Sequence, residues 1–96
     1  MLARWMRQKP AVLVLDEPTQ GVDVGAKADI HTLVEEAAAE GAAVLVVSTD
    51  HGELTRLAER VLVLRGGRFA DELRRPHIDP DRITAATIGA GQGAAA

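Results

Sequence analysis

Two adjacent carboxylates carry the chemistry this sequence offers. Asp16 and Glu17 follow the apolar run Val12-Leu13-Val14-Leu15 and precede Pro18. Four apolar residues followed by two acids put carboxylates at the C-terminal end of a buried strand. In open α/β sheets that end faces the ligand crevice. A carboxylate there holds Mg2+, often through water, while the metal bridges nucleotide phosphates. Side chains alternate along a strand, so the neighbouring carboxylate points elsewhere. It is free to orient or deprotonate an attacking water. This division gives Asp16 the metal and Glu17 the role of general base. The plainer reading of the same pair is a strand end whose solvated acids begin a turn.

The remaining reactive side chains offer less. There is no cysteine, which excludes a disulfide framework and a thiolate metal site. The only lysines are Lys9 and Lys27, and neither follows the Gly-x-x-x-x-Gly spacing of a phosphate-cradling loop. Ala26 occupies the place that the second glycine would need between Gly21 and Lys27, so Lys27 reads as a solvated helix residue. His31 and His77 lack ligand-like spacing and read as solvated, and His51 reads as a surface residue in a helical first turn. Arg74-Arg75 reads as a solvated charge pair. The net charge of −3 shows no basic face and argues against a nucleic-acid partner. No apolar run approaches the roughly 18–20 residues that span a bilayer. Arg4, Arg7 and Lys9 are not followed by an apolar signal-peptide region, so the expectation is a cytosolic chain.

The elements that must position Asp16 and Glu17 alternate between strand and helix. Residues 1–8 read as the end of a helix, stopped ahead of Pro10. Residues 11–15 read as a strand buried on both faces. Residues 16–25, with Pro18, Gly21 and Gly25, read as a loop. A helix is expected over 26–40, with Ala26, Ile30, Leu33, Val34, Ala37 and Ala38 on its apolar side and Gly41 just past its end. Residues 42–47 read as a second buried strand. Asp50 and Glu53 have capping-box spacing for a short helix with Leu54, Leu57 and Ala58 inside. Strands at 60–65 and 68–73 flank Gly66-Gly67, a two-residue turn. Asp79-Pro80 reads as an N-cap and first helical residue, with the helix running to Ile88.

The fold class is therefore α/β: parallel strands with crossover helices, plus a terminal β-hairpin. One domain is expected over 1–88, with a disordered tail at 89–96. Aromatics are 2% of the chain, so the core must be built from Val, Leu, Ile and Ala. Two substantial helices and two short terminal ones are too few to cover both faces of the strands. The architecture reads as cut from something larger, and of marginal stability alone.

The string Asp16-Glu17-Pro18-Thr19-Gln20-Gly21-Val22-Asp23 resembles the Walker B segment running into the D-loop of ABC-type ATPases, a branch of the P-loop NTPases. Val22-Asp23-Val24-Gly25-Ala26-Lys27 is similar to the ATPase subunits of ribose- and xylose-type sugar importers, in the second of their two nucleotide-binding domains. The resemblance extends over residues 2–73. It includes Ala58-Glu59-Arg60-Val61-Leu62-Val63-Leu64-Arg65-Gly66-Gly67-Arg68. Leu2-Ala3-Arg4-Trp5 resembles the helix after the family's Leu-Ser-Gly-Gly signature. Neither that signature nor a phosphate-binding loop occurs in these 96 residues.

The resemblance implies ATP and Mg2+ as cofactors. It implies that Asp16 helps hold Mg2+ through water and that Glu17 activates the attacking water. Gly21, Val22 and Asp23 would form the D-loop, which crosses to a partner domain. The same three residues also suit a Gly-hinged turn with Asp23 capping the next helix. The family's switch histidine contacts the γ-phosphate; the aligned position here is Thr49, a departure from the pattern. The implied partners are the N-terminal part of the same domain, a second nucleotide-binding domain and transmembrane permease subunits, with no nucleic acid. The implied location is cytoplasmic, at the inner face of the membrane. Two alternatives remain open: a soluble ABC-type ATPase acting on DNA or ribosomes, and a non-catalytic remnant acting at most as an interaction module.

Overall fold

The computed structural model of the protein describes residues 11–89, so the expected helix end at 1–8 and most of the expected tail lie outside the described residues. The chain divides into two compact units between Thr49 and Asp50.

In the first unit, strand β1 (Val12–Asp16) leads through a loop to helix α1 (Val24–Ala39) and then to strand β2 (Ala43–Val47). Helix α1 begins two residues earlier than the sequence suggests because Asp23 caps it. The Asp23 carboxylate accepts a hydrogen bond of 2.8 Å from the Ala26 amide, satisfying one of the donors a helix start leaves without a partner. Glu40 ends the helix, and Gly41, at φ 101°, turns the chain into β2. Gly41 tolerates that backbone because it has no Cβ. The strands pair in parallel, from Val12 opposite Ala43 to Asp16 opposite Val47.

Burial on these strands alternates. Leu13 is buried, whereas Val12 (63%), Val14 (62%), Leu45 (56%) and Val47 (51%) are exposed. The expectation of strands covered on both faces is corrected here. The one crossover helix of this unit can lie on only one face of a two-stranded sheet, and α1 packs beside β2. A second correction concerns His31, which is not solvated but only 4% exposed. It sits three residues before the buried Val34, and residues at that spacing share a helix face. The inner stripe of α1 is thus centred on His31 and Val34, while Ala38, expected inside, is exposed.

The second unit contains helix α2 (His51–Leu57), strands β3 (Arg60–Arg65) and β4 (Arg68–Arg74), and helix α3 (Pro80–Ile88). Asp50 caps α2 by accepting from the Glu53 amide at 3.0 Å. Strands β3 and β4 pair antiparallel around Gly66 and Gly67, whose φ angles of 60° and 78° are the positive pair a tight two-residue hairpin requires. A bulge between Val63 and Leu64 shifts the register. Asp79 caps α3, accepting from the Arg82 amide at 2.8 Å, with Pro80 in the first turn as expected. The core joins Val61 and Val63 of β3 to Ile78, Ile83 and Ala86, with Leu54, Ala58 and Leu73 packed against them. Among the described residues the strands therefore form two separate two-stranded sheets, one parallel and one antiparallel.

Arg75 is exposed, as the sequence suggests, but its guanidinium is also engaged at a helix end. Its Nε donates to the Ala58 carbonyl at 2.9 Å, and one terminal nitrogen donates to the carbonyls of Arg56 at 3.0 Å and Thr55 at 3.3 Å. These are carbonyls of the last turn of α2 and of its C-cap residue Ala58, which the helix itself leaves without donors. A planar guanidinium supplies several donors in one fork, and its charge favours a helix C-terminus. Arg75→Met removes all of them while keeping the apolar stem. It is expected to cost about 1–2 kcal/mol, because the clamp is solvent-accessible and charged hydrogen bonds of this kind contribute modestly. Denaturant unfolding followed by the signal of the second unit measures it, and an unchanged midpoint would show that water replaces the clamp.

Candidate functional site

Asp16 and Glu17 leave the sheet where β1 ends, and the parallel register brings the exit of β2 alongside. The Glu17 amide donates to the Val47 carbonyl at 2.7 Å, extending the ladder one step beyond the Asp16–Val47 pair. Glu17 then departs from strand geometry: its φ is 50°, the described non-glycine residue with positive φ. Left-handed backbone costs a residue with a Cβ roughly 1–2 kcal/mol. Such strain persists where the surroundings over-determine it, and it clusters at functional sites. Here the surroundings are specific. The amide is tied to Val47, and the Glu17 carbonyl accepts from the Gln20 amide at 3.2 Å.

The side chain is held as well. Both carboxylate oxygens of Glu17 lie 3.1 Å from the Thr49 amide, which donates to them, and the Thr49 hydroxyl lies 3.4 Å from Oε1. The structure thus brings together Glu17 and Thr49, two residues singled out from sequence for different reasons. Asp16 is exposed at the end of β1, and Glu17 is half-buried. The two carboxylates thus differ in exposure and in what holds them.

The loop that follows is locally closed. The Val22 amide donates to the Thr19 carbonyl at 3.2 Å, Thr19 is buried, and Gly21 takes φ 77°. Asp23 is committed to the start of α1. The hydrogen bonds of Val22 and Asp23 therefore serve the loop and the helix and do not reach Glu17. Lys27 is half-buried on α1 and not fully solvated. In the second unit His51 is half-buried, with its Nδ1 3.0 Å from the Thr84 hydroxyl. His77 is exposed as expected. No sequence signal marked Thr84, because a pairing across 33 positions leaves no local pattern.

Mg2+ is held in nucleotide sites by one or two carboxylates, with waters and phosphate oxygens completing an octahedron. The exposed Asp16 carboxylate at the end of a parallel strand fits that donor set. Among the described residues no group of three or more His, Cys, Asp or Glu side chains could hold a metal by itself. No described helix is long and apolar enough to cross a membrane.

Comparison with known proteins shows what the chain is similar to. Over most of its length it matches a segment of import ATP-binding proteins. In particular, it is 52% identical over 83 residues to the ribose import ATP-binding protein RbsA 2 of Mesorhizobium japonicum, covering 86% of this chain and 16% of that protein. It is 45% identical over 89 residues to the ribose import ATP-binding protein RbsA of Rhodococcus jostii, covering 93% of this chain and 18% of that protein. It is 46% identical over 89 residues to the autoinducer 2 import ATP-binding protein LsrA of an Enterobacter species, again 18% of that protein. The chain thus spans less than a fifth of the length of these curated relatives. No protein-family profile matches it.

The strain at Glu17 is measurable. Glu17→Gly and Glu17→Ala both remove the carboxylate, but only glycine adopts φ 50° without a Cβ penalty. The glycine variant is expected to be more stable than the alanine variant by about 1 kcal/mol. Equal unfolding midpoints would mean that the backbone relaxes once the carboxylate is gone.

Proposed function

We propose that this chain is part of the ATP-binding and ATP-hydrolysing subunit of an ABC importer. The observation that carries the reading is the end of β1: an exposed carboxylate at Asp16 beside a strained, held carboxylate at Glu17. In this reading Asp16 helps hold Mg2+ through water, and the bound metal supplies charge neutralisation at the phosphate oxygens. Glu17 orients the attacking water and accepts its proton. A carboxylate has about four acceptor positions. The shared Thr49 amide leaves some of them for that water.

The relatives' names support a ribose-type sugar or another small solute as cargo. The loop residues Gly21, Val22 and Asp23 serve as the D-loop facing a second nucleotide-binding domain. The phosphate-binding loop and signature are supplied from outside these 96 residues, by the N-terminal part of the same domain. The transmembrane partners are permease subunits, which puts the subunit at the cytoplasmic face of the membrane. Apart from this function, the relationship supports a P-loop type of α/β domain.

Two measurements test this. In the assembled ATPase, Glu17→Gln is expected to lower kcat by about 100-fold or more while MgATP binding persists. Unchanged turnover would remove Glu17 from the role. For the 96 residues alone, calorimetry is expected to show no saturable MgATP heat. Binding that is abolished by Asp16→Asn would instead mean that this stretch completes a phosphate site by itself.

A further inference from the structure

The position expected from sequence to contact phosphate is engaged with something else. Thr49 donates its amide to both oxygens of Glu17 at 3.1 Å, and its hydroxyl lies 3.4 Å from Oε1. Resting on the reading of Glu17 as the base, we infer that Thr49 is a positioning residue for that carboxylate and acts on the reaction through it.

Three features converge on this. The Glu17 amide is fixed to Val47 at 2.7 Å, so its backbone cannot slide along β2. The left-handed φ of 50° redirects its side chain away from the strand's alternation. The carboxylate then meets the first donor beyond Ser48 on the neighbouring chain segment. One N–H centred between two oxygens fixes the carboxylate's azimuth, and a charged acceptor makes such a bond shorter and stronger than a neutral one. Glu17 is thereby held at both its amide and its carboxylate by two residues of one strand exit, Val47 and Thr49.

The donor that matters is main-chain, which explains how a threonine serves at this position. What the position delivers to Glu17 is an N–H that every residue except proline carries. The hydroxyl is a weaker auxiliary at 3.4 Å. A direct phosphate contact would demand a particular side chain; a carboxylate tether does not.

The test separates the amide from the side chain. In the assembled ATPase, Thr49→Val keeps the N–H and removes the hydroxyl, and kcat and KM for ATP are expected to stay close to those of the unaltered enzyme. Replacing the Thr49 N–H by an ester oxygen keeps the side chain and removes the donor. A misplaced catalytic group loses on the order of 100-fold, so kcat is expected to fall by about that much with KM unchanged. A Thr49→Val variant as impaired as the ester, or an ester variant with full kcat, overturns the proposal.

A second readout needs no turnover. In the 96-residue chain, the Thr49 amide proton resonance is expected to move when Glu17→Ala removes the acceptor, and to stay in place in Thr49-distant variants such as Glu72→Ala. A resonance that ignores Glu17 overturns the tether. Full turnover in Glu17→Gln overturns both this proposal and the base role. Loss in Glu17→Gln with none in the ester variant overturns the Thr49 proposal alone.

Discussion

Strands that run parallel leave their sheet at the same end, and the pairing of β1 with β2 makes use of this. The register from Val12–Ala43 to Asp16–Val47 sets two chain exits side by side although they are far apart in sequence. Everything at the candidate site follows from that pairing. It gives the Glu17 amide a carbonyl to bond, gives its carboxylate a donor at Thr49, and leaves Asp16 free to face solvent. An antiparallel pair would have put the turn, not a second exit, beside Glu17. The parallel arrangement needs a crossover, and α1 supplies it.

The elements were legible wherever the signal was local. Asp23, Asp50 and Asp79 each cap the helix that follows them, and each is recognisable from residue type and the helical pattern beyond it. Gly66-Gly67 announces its hairpin for the same reason: a two-residue turn needs positive φ, and two glycines allow it. The acids at the end of β1 were also legible, because an apolar run that stops at carboxylates is a statement about one strand. What stayed hidden depends on distant partners. The tether from Glu17 to Thr49 joins residues 32 positions apart. The fork of Arg75 over the end of α2 looks in sequence like one more surface charge. His31 looked solvated because a polar side chain on an otherwise apolar stripe carries no mark of burial.

The second unit is organised by the same accounting of backbone groups at helix ends. Asp50 serves one end of α2 and Arg75 the other, so a seven-residue helix has side-chain partners at both termini. Helices this short are unstable in water by themselves. Capping, together with the Leu54 contact to the Val61–Ile83 cluster, is what makes α2 a fixed element. The burial of Glu53 at 2% exposure belongs to the same picture: a carboxylate enters the interior only where it is hydrogen-bonded.

The bare side of the β1–β2 ribbon stores adhesive free energy. Val12, Val14, Leu45 and Val47 each keep more than half of their surface in water. Drying the remainder would release roughly 1 kcal/mol apiece, on the order of 4 kcal/mol for the four. By itself that corresponds to about a thousandfold in an association constant. The strip lies on the two strands whose ends carry Glu17 and Thr49, so a surface that covered it would draw its contact from the same ribbon that presents the Glu17 carboxylate.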